Sequence, residues 1–226
     1  MFDINKFEYI EEKHMGFYEG VYVPSCTELL GIIYPISKDI SESVLENASQ
    51  RGTELHDHID TINKYFIEHN DYDLSLEAAK KYALAVGIKE LIGYVSLLKA
   101  WKLQPVMSEQ RVFLLDENGD LITYGHFDLI LRAREDNALF EKDKAYLCDI
   151  KRTATFNKPK THLQTHIYRV ASKNTISYQL SDQTFGLWLK NDEAKIVPLN
   201  TGNDNDIIAL TKEAKELYEL CQTKKD

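Results

Sequence analysis

The spacing of apolar residues predicts a mainly helical N-terminal part, at about residues 25–101. Ahead of it, residues 6–23 alternate aromatic and polar side chains, which is typical of a short hairpin that covers the core. The segment SCTELLGII predicts a short helix, with Ser25 as N-cap and Glu28 completing a capping box. This helix is expected to end near Gly31.

Two longer helices are predicted at residues 41–69 and 75–101, because apolar residues recur at three- and four-residue steps in both. Gly52 interrupts the first pattern. Glycine costs about 1 kcal/mol relative to alanine inside a helix, so Gly52 predicts either a break or a backbone that another group approaches closely. Gly87 and Gly93 are expected to bend the second helix.

The apolar pattern changes to a period of two after residue 105, which predicts a sheet core over about residues 105–200. Two apolar runs, VMSEQRVFLL and DLITYGHFDLILRA, flank Asn118-Gly119, a strong hairpin signal. A two-residue loop at Asn118-Gly119 gives these pairs: Leu115 with Ile122, Phe113 with Tyr124, and Glu109 with Asp128. Directly opposed like charges destabilise a sheet. The pair of Glu109 and Asp128 therefore predicts a cation between the two carboxylates or a bulge that moves one of them away.

A third strand, AYLCDIK, follows the acidic loop at residues 134–144 and ends in Asp149-Ile150-Lys151. The two-residue period places Asp149 and Lys151 on one face, with Cys148 and Ile150 pointing into the core. A carboxylate that can hold a divalent cation, beside a lysine that can orient or polarise a water, suits phosphodiester hydrolysis. Taken alone, the pair is more typical of a strand end with a surface ion pair than of a catalytic site.

The chain therefore predicts an α/β domain with a central mixed β-sheet flanked by helices. Its 226 residues, 43% of them hydrophobic, are enough for one globular unit, and we expect a single domain over residues 1–226. The remaining predicted elements are a helix at 161–172 after a basic loop at 158–160, strands at 185–190 and 194–199, and a C-terminal helix at 206–222.

Composition and charge narrow the function classes. A formal charge of −9 argues against a protein that coats nucleic acid, so any nucleic-acid contact must be local. The three cysteines, Cys26, Cys148 and Cys221, provide neither a disulfide framework nor a four-cysteine zinc or iron–sulfur site. We see no apolar signal region and no run long enough to span a bilayer, so we expect a soluble, cytoplasmic protein without a membrane partner.

Four short motifs occur in order, on predicted helix, strand, strand and helix. They are Gly52-x-x-x-His56, Gly125-x-x-Asp128, Asp149-x-Lys151 and Gln164-x-x-x-Tyr168. Together they resemble the PD-(D/E)XK nuclease superfamily, and within it the RecB-type and phage exonuclease branch. The segment VPSCTELLG also resembles the Pro-Ser-x-Thr start of many phage members, and the resemblance covers roughly residues 20 to 200.

The resemblance implies a restriction-endonuclease-like core and a Mg2+ or Mn2+ site. Asp128 and Asp149 would bind the metal through oxygen, His56 would add a nitrogen ligand, and the Ile150 carbonyl would complete the set. Glu109 matches an upstream acid found in some branches, and the hairpin register independently places it beside Asp128. Asp149 departs from the glutamate of many relatives, and the lack of suitable cysteines excludes the iron–sulfur variants.

The resemblance also assigns the remaining site residues. Lys151 would position and help to activate the attacking water, while Gln164 and Tyr168 would line the active site from the following helix. A basic group near the site would contact DNA phosphates, although an ordinary solvated cluster is the alternative. This group comprises Arg51, Arg152, Lys158 and Lys160.

The expected function is metal-dependent hydrolysis of DNA phosphodiester bonds, with a phage-type exonuclease for recombination or repair favoured over a site-specific endonuclease. An alternative is a nuclease fold that binds nucleic acid or protein without turnover. DNA is the expected partner, together with further copies of the chain or a phage recombination protein, in a bacterial host cytoplasm. His162 and His166 are four apart and suggest zinc, but no third soft ligand is evident.

Overall fold

The chain begins with a small antiparallel sheet. In the computed structural model, which describes residues 2–35, 41–191, 193–199 and 202–222, the sheet has the strands β1 (Phe7–Ile10), β2 (Met15–Tyr18) and β3 (Val21–Val23). They are hydrogen-bonded in that order. The predicted hairpin is therefore a three-stranded meander, because the chain reverses twice: through a single turn of 3-10 helix at Glu11–Lys13 and again at Gly20 with φ +79°.

Four helices follow: α1 (Cys26–Ile33), α2 (Glu42–His69), α3 (Tyr72–Val86) and α4 (Lys89–Ala100). The predicted capping box of α1 is confirmed. The Ser25 hydroxyl accepts the Glu28 N–H, and the Glu28 carboxylate accepts the Ser25 N–H in return. The helix ends at Ile33, two residues after the predicted end at Gly31.

Two predictions about glycines in the helices are wrong: a break at Gly52 and a bend at Gly87. The helix α2 continues through Gly52, where a Cβ atom would meet nothing within 4 Å. The other alternative for Gly52, close approach by another group, stays a prediction. The single helix predicted at 75–101 is two helices, because Gly87 has φ +77° and donates its N–H to the Ala83 carbonyl, which closes α3. A left-handed residue of this kind ends a helix rather than bending it.

A five-stranded mixed sheet lies at the centre, as predicted. Its hydrogen-bonding order is the chain order, and all neighbours are antiparallel except the third and fourth strands, which are parallel. A helix crosses over between these two, as parallel neighbours require. The elements are β4 (Leu103–Leu115), β5 (Leu121–Ala133), β6 (Ala145–Lys151), α5 (Lys158–Ser172), β7 (Thr184–Lys190), β8 (Glu193–Leu199) and α6 (Asp204–Gln222).

The basic segment at 158–160 is the first turn of α5 rather than a loop before it. The Asn157 side chain accepts the Lys160 N–H as N-cap, and Pro159 occupies the first turn, where its missing N–H costs nothing. In the part of the chain that the structure describes, none of the helices is long and apolar enough to cross a membrane.

Helices cover both faces of the central sheet. On one face, residues of α2, α3 and α4 such as Leu55 and Tyr94 pack against Cys148 and Ile150. On the other, α1, α5 and α6 pack against residues that include Leu147. The alternation predicted for β6 is confirmed: Cys148 and Ile150 are buried in the first core, and Asp149 belongs to the face that α5 covers.

The β4–β5 hairpin keeps the predicted register along most of its length. Phe113 pairs with Tyr124, as predicted, but Leu115 pairs with Leu121 rather than Ile122 because a bulge lies beside the turn. The Asp116 N–H donates to the Asp120 carbonyl, and the Asp120 N–H donates to the Asp116 carboxylate. The loop is therefore longer than the two residues predicted.

Substitutions of Gly52 and Gly87 by alanine are expected to have opposite effects on the free energy of unfolding. Gly52→Ala is expected to raise the free energy of unfolding by up to about 1 kcal/mol, because α2 is regular there and the new methyl group meets nothing. Gly87→Ala is expected to lower it by about 1 kcal/mol, because alanine is strained at a positive φ. Urea unfolding of the two variants measures both, and equal signs would contradict this account of the helix boundaries.

Candidate active site

A histidine and two carboxylates from three elements meet at one edge of the fold. His56 Nδ1 on α2 lies 3.7 Å from Glu109 Oε1 on β4 and 3.7 Å from Asp128 Oδ1 on β5. One ligand atom from each lies within 4.8 Å of the others, which is close enough for a single cation to bind all three. The predicted proximity of Glu109 to Asp128 is confirmed by this geometry.

The carboxylates stand in a row across three strands. The β4–β5 ladder pairs Gln110 with Phe127 and Ser108 with Leu129 but omits the step between them, where Glu109 faces Asp128. The β5–β6 ladder ends at the pair of Leu129 and Cys148, one step before Asp128 and Asp149. Sheet pairing is therefore interrupted wherever two of the acids would be directly opposed, as expected for like charges.

The backbone is irregular at the same position. Glu109 has φ +49°, in the left-handed region. Phe127 packs with the α5 side of the sheet and Leu129 with the α2 side, although residues two apart in a regular strand share a face. The side chains of β5 therefore change the face of the sheet to which they point at Asp128. This irregularity directs Glu109 and Asp128 towards His56.

A second group forms a chain of polar contacts from β6 to α5. Lys151 Nζ lies 2.8 Å from Asp149 Oδ2 and donates a 3.1 Å hydrogen bond to Gln164 Oε1. Gln164 Nε2 in turn donates to the Tyr168 hydroxyl over 3.1 Å. The sharing of one helix face by Gln164 and Tyr168 is as predicted, and Lys151 is held from two sides.

Asp128 joins the two groups. Its Oδ2 accepts the Ile150 N–H at 2.5 Å, while its Oδ1 faces His56. Asp149 lies outside the three-residue cluster and is paired with Lys151 instead. Of the four side chains predicted as metal ligands, the structure thus brings three together and places Asp149 beside them.

Gly125 makes room for Tyr168. A Cβ atom at Gly125 would lie 2.4 Å from Tyr168 Cε1, a distance that real Cβ atoms essentially never show. The ring of Tyr168 is buried and lies directly on the β5 backbone. The glycine of the second motif therefore has a physical reason that the motif alone does not reveal.

The electrostatics of the site follow from burial of like charges. Burial raises the pKa of Asp149 to about 6 despite the neighbouring Lys151 ammonium. Burial also raises the pKa of Asp128. For His56, burial opposes the charged form, but the carboxylates of Asp128 and Glu109 outweigh it and raise the pKa to about 9. For Lys151, the carboxylates of Asp149 and Asp128 outweigh the burial penalty and raise the pKa.

These groups fit a divalent cation. The cluster offers carboxylate oxygens and one imidazole nitrogen, a donor set that Mg2+ or Mn2+ accepts. Three carboxylates, Glu109, Asp128 and Asp149, lie beside two cationic groups, His56 and Lys151. A bound cation would offset the negative charge that these two groups leave uncompensated.

The site opens into a cleft of about 860 Å³. His56, Asp128, Lys151, Gln164 and Tyr168 line it. Glu109 instead faces a smaller cavity of about 350 Å³ on the other side of His56. The cluster therefore lies between two openings, with His56 bordering both.

The predicted phosphate-binding residues divide into two pairs. Lys160 and Arg152 line the cleft, whereas Lys158 and Arg51 are exposed outside it. The Arg152 guanidinium is already engaged: it donates to Glu90 over 3.0 Å and to the Arg51 carbonyl over 2.8 Å. Within this predicted group, Lys160 is the residue best placed to meet a bound anion.

One wall of the cleft is formed by residues that were not predicted from the sequence. Tyr9, Lys13, His14 and Met15, from β1, the following turn and β2, line it together with His126. His126 precedes Asp128 by two residues, so the strand period could have indicated it. The N-terminal residues carry no such signal, since only the folded chain brings them to a strand more than a hundred residues away.

The alternative zinc site at His162 and His166 gains no third ligand. Their rings lie 5.7 Å apart, but His166 Nε2 contacts the Arg169 guanidinium at 2.9 Å. Among the residues that the structure describes, neither histidine belongs to a group of three metal-binding side chains. A buried arginine beside the imidazole also disfavours a cation there.

Comparison with known proteins assigns neither a family nor a function to the chain. No model of a known protein family matches the chain, and no curated protein matches it. Solved structures do match, and one of them is described as the crystal structure of SSO0001. It is 17% identical, with a TM-score of 0.37, and the match covers 73% of this chain and 74% of that one. Likeness at this level supports no conclusion about the site.

Substitution of Gly125 tests the packing of Tyr168. Gly125→Ala is expected to lower the free energy of unfolding by about 1–3 kcal/mol, because the new methyl group displaces the buried ring. In a Tyr168→Ala background the same change should cost far less, since the obstructing ring is gone. Urea unfolding of the four proteins gives the coupling energy, and additive effects would refute the close contact.

The pKa of His56 predicts how stability depends on pH in metal-free protein. Because the folded chain holds this proton more tightly than the unfolded chain, the stabilisation is complete below pH 6.5 and disappears as the pH rises to about 9. His56→Gln should lack this part of the decline. Urea titrations across that range in the presence of EDTA compare the two, and parallel curves would exclude a raised His56 pKa.

Proposed function

We propose that the protein is a divalent-metal-dependent nuclease that hydrolyses phosphodiester bonds in DNA. The observation that carries the proposal is the row of acids Glu109, Asp128 and Asp149, which has His56 at one end and Lys151 at the other and borders a large cleft. The order and spacing of these residues match the PD-(D/E)XK pattern. A buried surplus of carboxylates is otherwise costly to a fold.

The chain's own residues would divide the chemistry between them. His56, Glu109 and Asp128 would hold Mg2+ or Mn2+, with Asp149 beside them. When bound, such a metal supplies Lewis-acid stabilisation of the negative charge that develops on the phosphate oxygens. Lys151 remains protonated at neutral pH because Asp149 and Asp128 more than offset the cost of its burial. Its role is therefore to orient water and stabilise negative charge, not to remove a proton.

Gln164 and Tyr168 act on Lys151 rather than on the metal. Gln164 receives the Lys151 ammonium hydrogen bond, and the Tyr168 hydroxyl fixes the amide orientation from behind. A lysine has three donors, and two of its directions are committed to Asp149 and Gln164. The third direction is free to meet a water or a phosphate oxygen in the cleft.

A polyanionic substrate suits the charges that line the cleft. Lys13, Lys151, Arg152 and Lys160 line it together with two acids, Glu28 and Asp128. Basic groups therefore outnumber acidic ones at the cleft, in a chain whose net charge is −9. Phosphate contacts position a strand without reading its sequence, as a general exonuclease requires. The phage-type branch that the motifs resemble favours an exonuclease over a site-specific endonuclease.

The proposal predicts cleavage of DNA that depends on metal and on Lys151. Lys151→Ala should lower kcat by roughly 100-fold or more, as removal of a positioned catalytic group does. Asp128→Asn should abolish Mn2+ binding in calorimetry, because it removes a ligand shared with His56 and Glu109. End-labelled linear DNA and closed circular DNA, each with Mg2+, Mn2+ or EDTA, provide the activity measurement.

A matched control is Lys142→Ala, which removes an exposed lysine in the loop at 134–144, outside the cleft. It should cleave as the unaltered protein does. Cutting of the linear form alone indicates an exonuclease, and cutting of the closed circle indicates an endonuclease. Cleavage by Lys151→Ala at the rate of the control would overturn the proposed mechanism.

A further inference from the structure

The N-terminal sheet contributes an aromatic surface to the cleft. Tyr9 on β1 is half-buried, and its ring packs edge-on against His126 at 6.0 Å between centroids. The Tyr9 hydroxyl also lies 3.2 Å from His14 Nδ1. His126 is two residues from Asp128 on β5, so this surface begins about 7 Å along the strand from the proposed metal site.

The orientation of the Tyr9 ring is fixed by two neighbours. The Arg111 guanidinium lies over the ring at 4.3 Å from its centroid, and Tyr124 packs edge-on at 5.8 Å. Tyr9 also lines the cleft, together with His14 and His126. A ring held in this way is available for a flat partner at little entropic cost.

Lys13 adds a charge to the same wall. It is exposed and lines the cleft, and it directly precedes His14 in the turn between β1 and β2. The wall therefore combines aromatic and imidazole rings with one ammonium group. This combination is typical of sites that stack unpaired bases and contact the adjoining backbone phosphate.

We propose that Tyr9, His14 and His126 form a stacking platform for an unpaired base of single-stranded DNA, with Lys13 contacting its phosphate backbone. The inference rests on the nuclease function proposed above and specifies its substrate as a strand end whose bases are unpaired. Bases inside a duplex present no free face to the rings, so the platform selects unpaired nucleotides. The cleft volume of about 860 Å³ is in the range of pockets that enclose molecules of nucleotide size.

The test measures the binding of a fluorescent oligothymidylate by fluorescence anisotropy. The buffer contains Ca2+ in place of Mg2+ or Mn2+, and recovery of the intact oligonucleotide shows that it is not cleaved during the measurement. A strand of the same length with abasic sites keeps the phosphates but lacks the bases. Tyr9→Leu should weaken binding of the oligothymidylate by about 5- to 100-fold, because leucine packs but does not stack. It should leave binding of the abasic strand unchanged, and Tyr9→Phe should bind both strands as the unaltered protein does.

Further variants separate the platform from a general loss of folding. His14→Asn removes the ring but tolerates the positive φ of +52° at this position, and it should also weaken binding of the oligothymidylate alone. Lys13→Ala should weaken binding of the oligothymidylate and of the abasic strand equally, because it removes a phosphate contact. Tyr178→Ala, an exposed tyrosine outside the cleft, is the matched control and should bind normally.

Equal binding of oligothymidylate and abasic strand by every variant would overturn the platform. So would equal losses for Tyr9→Leu and Tyr9→Phe, or a stronger preference for duplex than for single-stranded DNA. Lys151-dependent cleavage together with unchanged binding by Tyr9→Leu would refute the platform alone. Base-dependent binding without metal-dependent cleavage would refute the nuclease and keep the platform.

Discussion

The burial of two carboxylates, Asp128 and Asp149, at neighbouring positions of paired strands is the constraint that the site depends on. Removing ionised groups from water costs several kcal/mol each unless partners offset it. Lys151 and the Ile150 N–H supply part of the compensation, at 2.8 and 2.5 Å. The compensation is incomplete, because burial still raises the pKa of both carboxyls. The local loss of stability is one that a bound cation would offset.

The same repulsion accounts for the shape of the sheet around the acids. Glu109 and Asp128 interrupt one ladder, and Asp128 and Asp149 end the next. The strands remain in register on the far side because the buried apolar residues of both cores fix their faces. Irregular backbone at Glu109 is therefore a consequence of charge placed inside a well-packed sheet, and it is what allows His56 to approach.

The sequence predicted the sheet and most of the site because both follow short-range rules. Strand alternation and the Asn118-Gly119 hairpin brought Glu109 to Asp128, although a bulge next to the turn shifted Leu115 by one partner. The helix break predicted at Gly52 is absent because the packing of α2 against the core outweighs the cost of glycine in a helix, about 1 kcal/mol. The part played by Tyr9 could not be predicted, because it depends on where the folded chain places a distant segment.

The distribution of charge decides where a polyanion can bind. The protein as a whole is acidic, with a net charge of −9, so counterion release favours DNA binding little over most of the surface. The cleft differs, because Lys13, Lys151, Arg152 and Lys160 line it against the two acids Glu28 and Asp128. A cation at His56, Glu109 and Asp128 would add to this positive charge. Substrate binding and metal binding are then coupled, because the anionic strand and the buried carboxylates need the same positive charge between them.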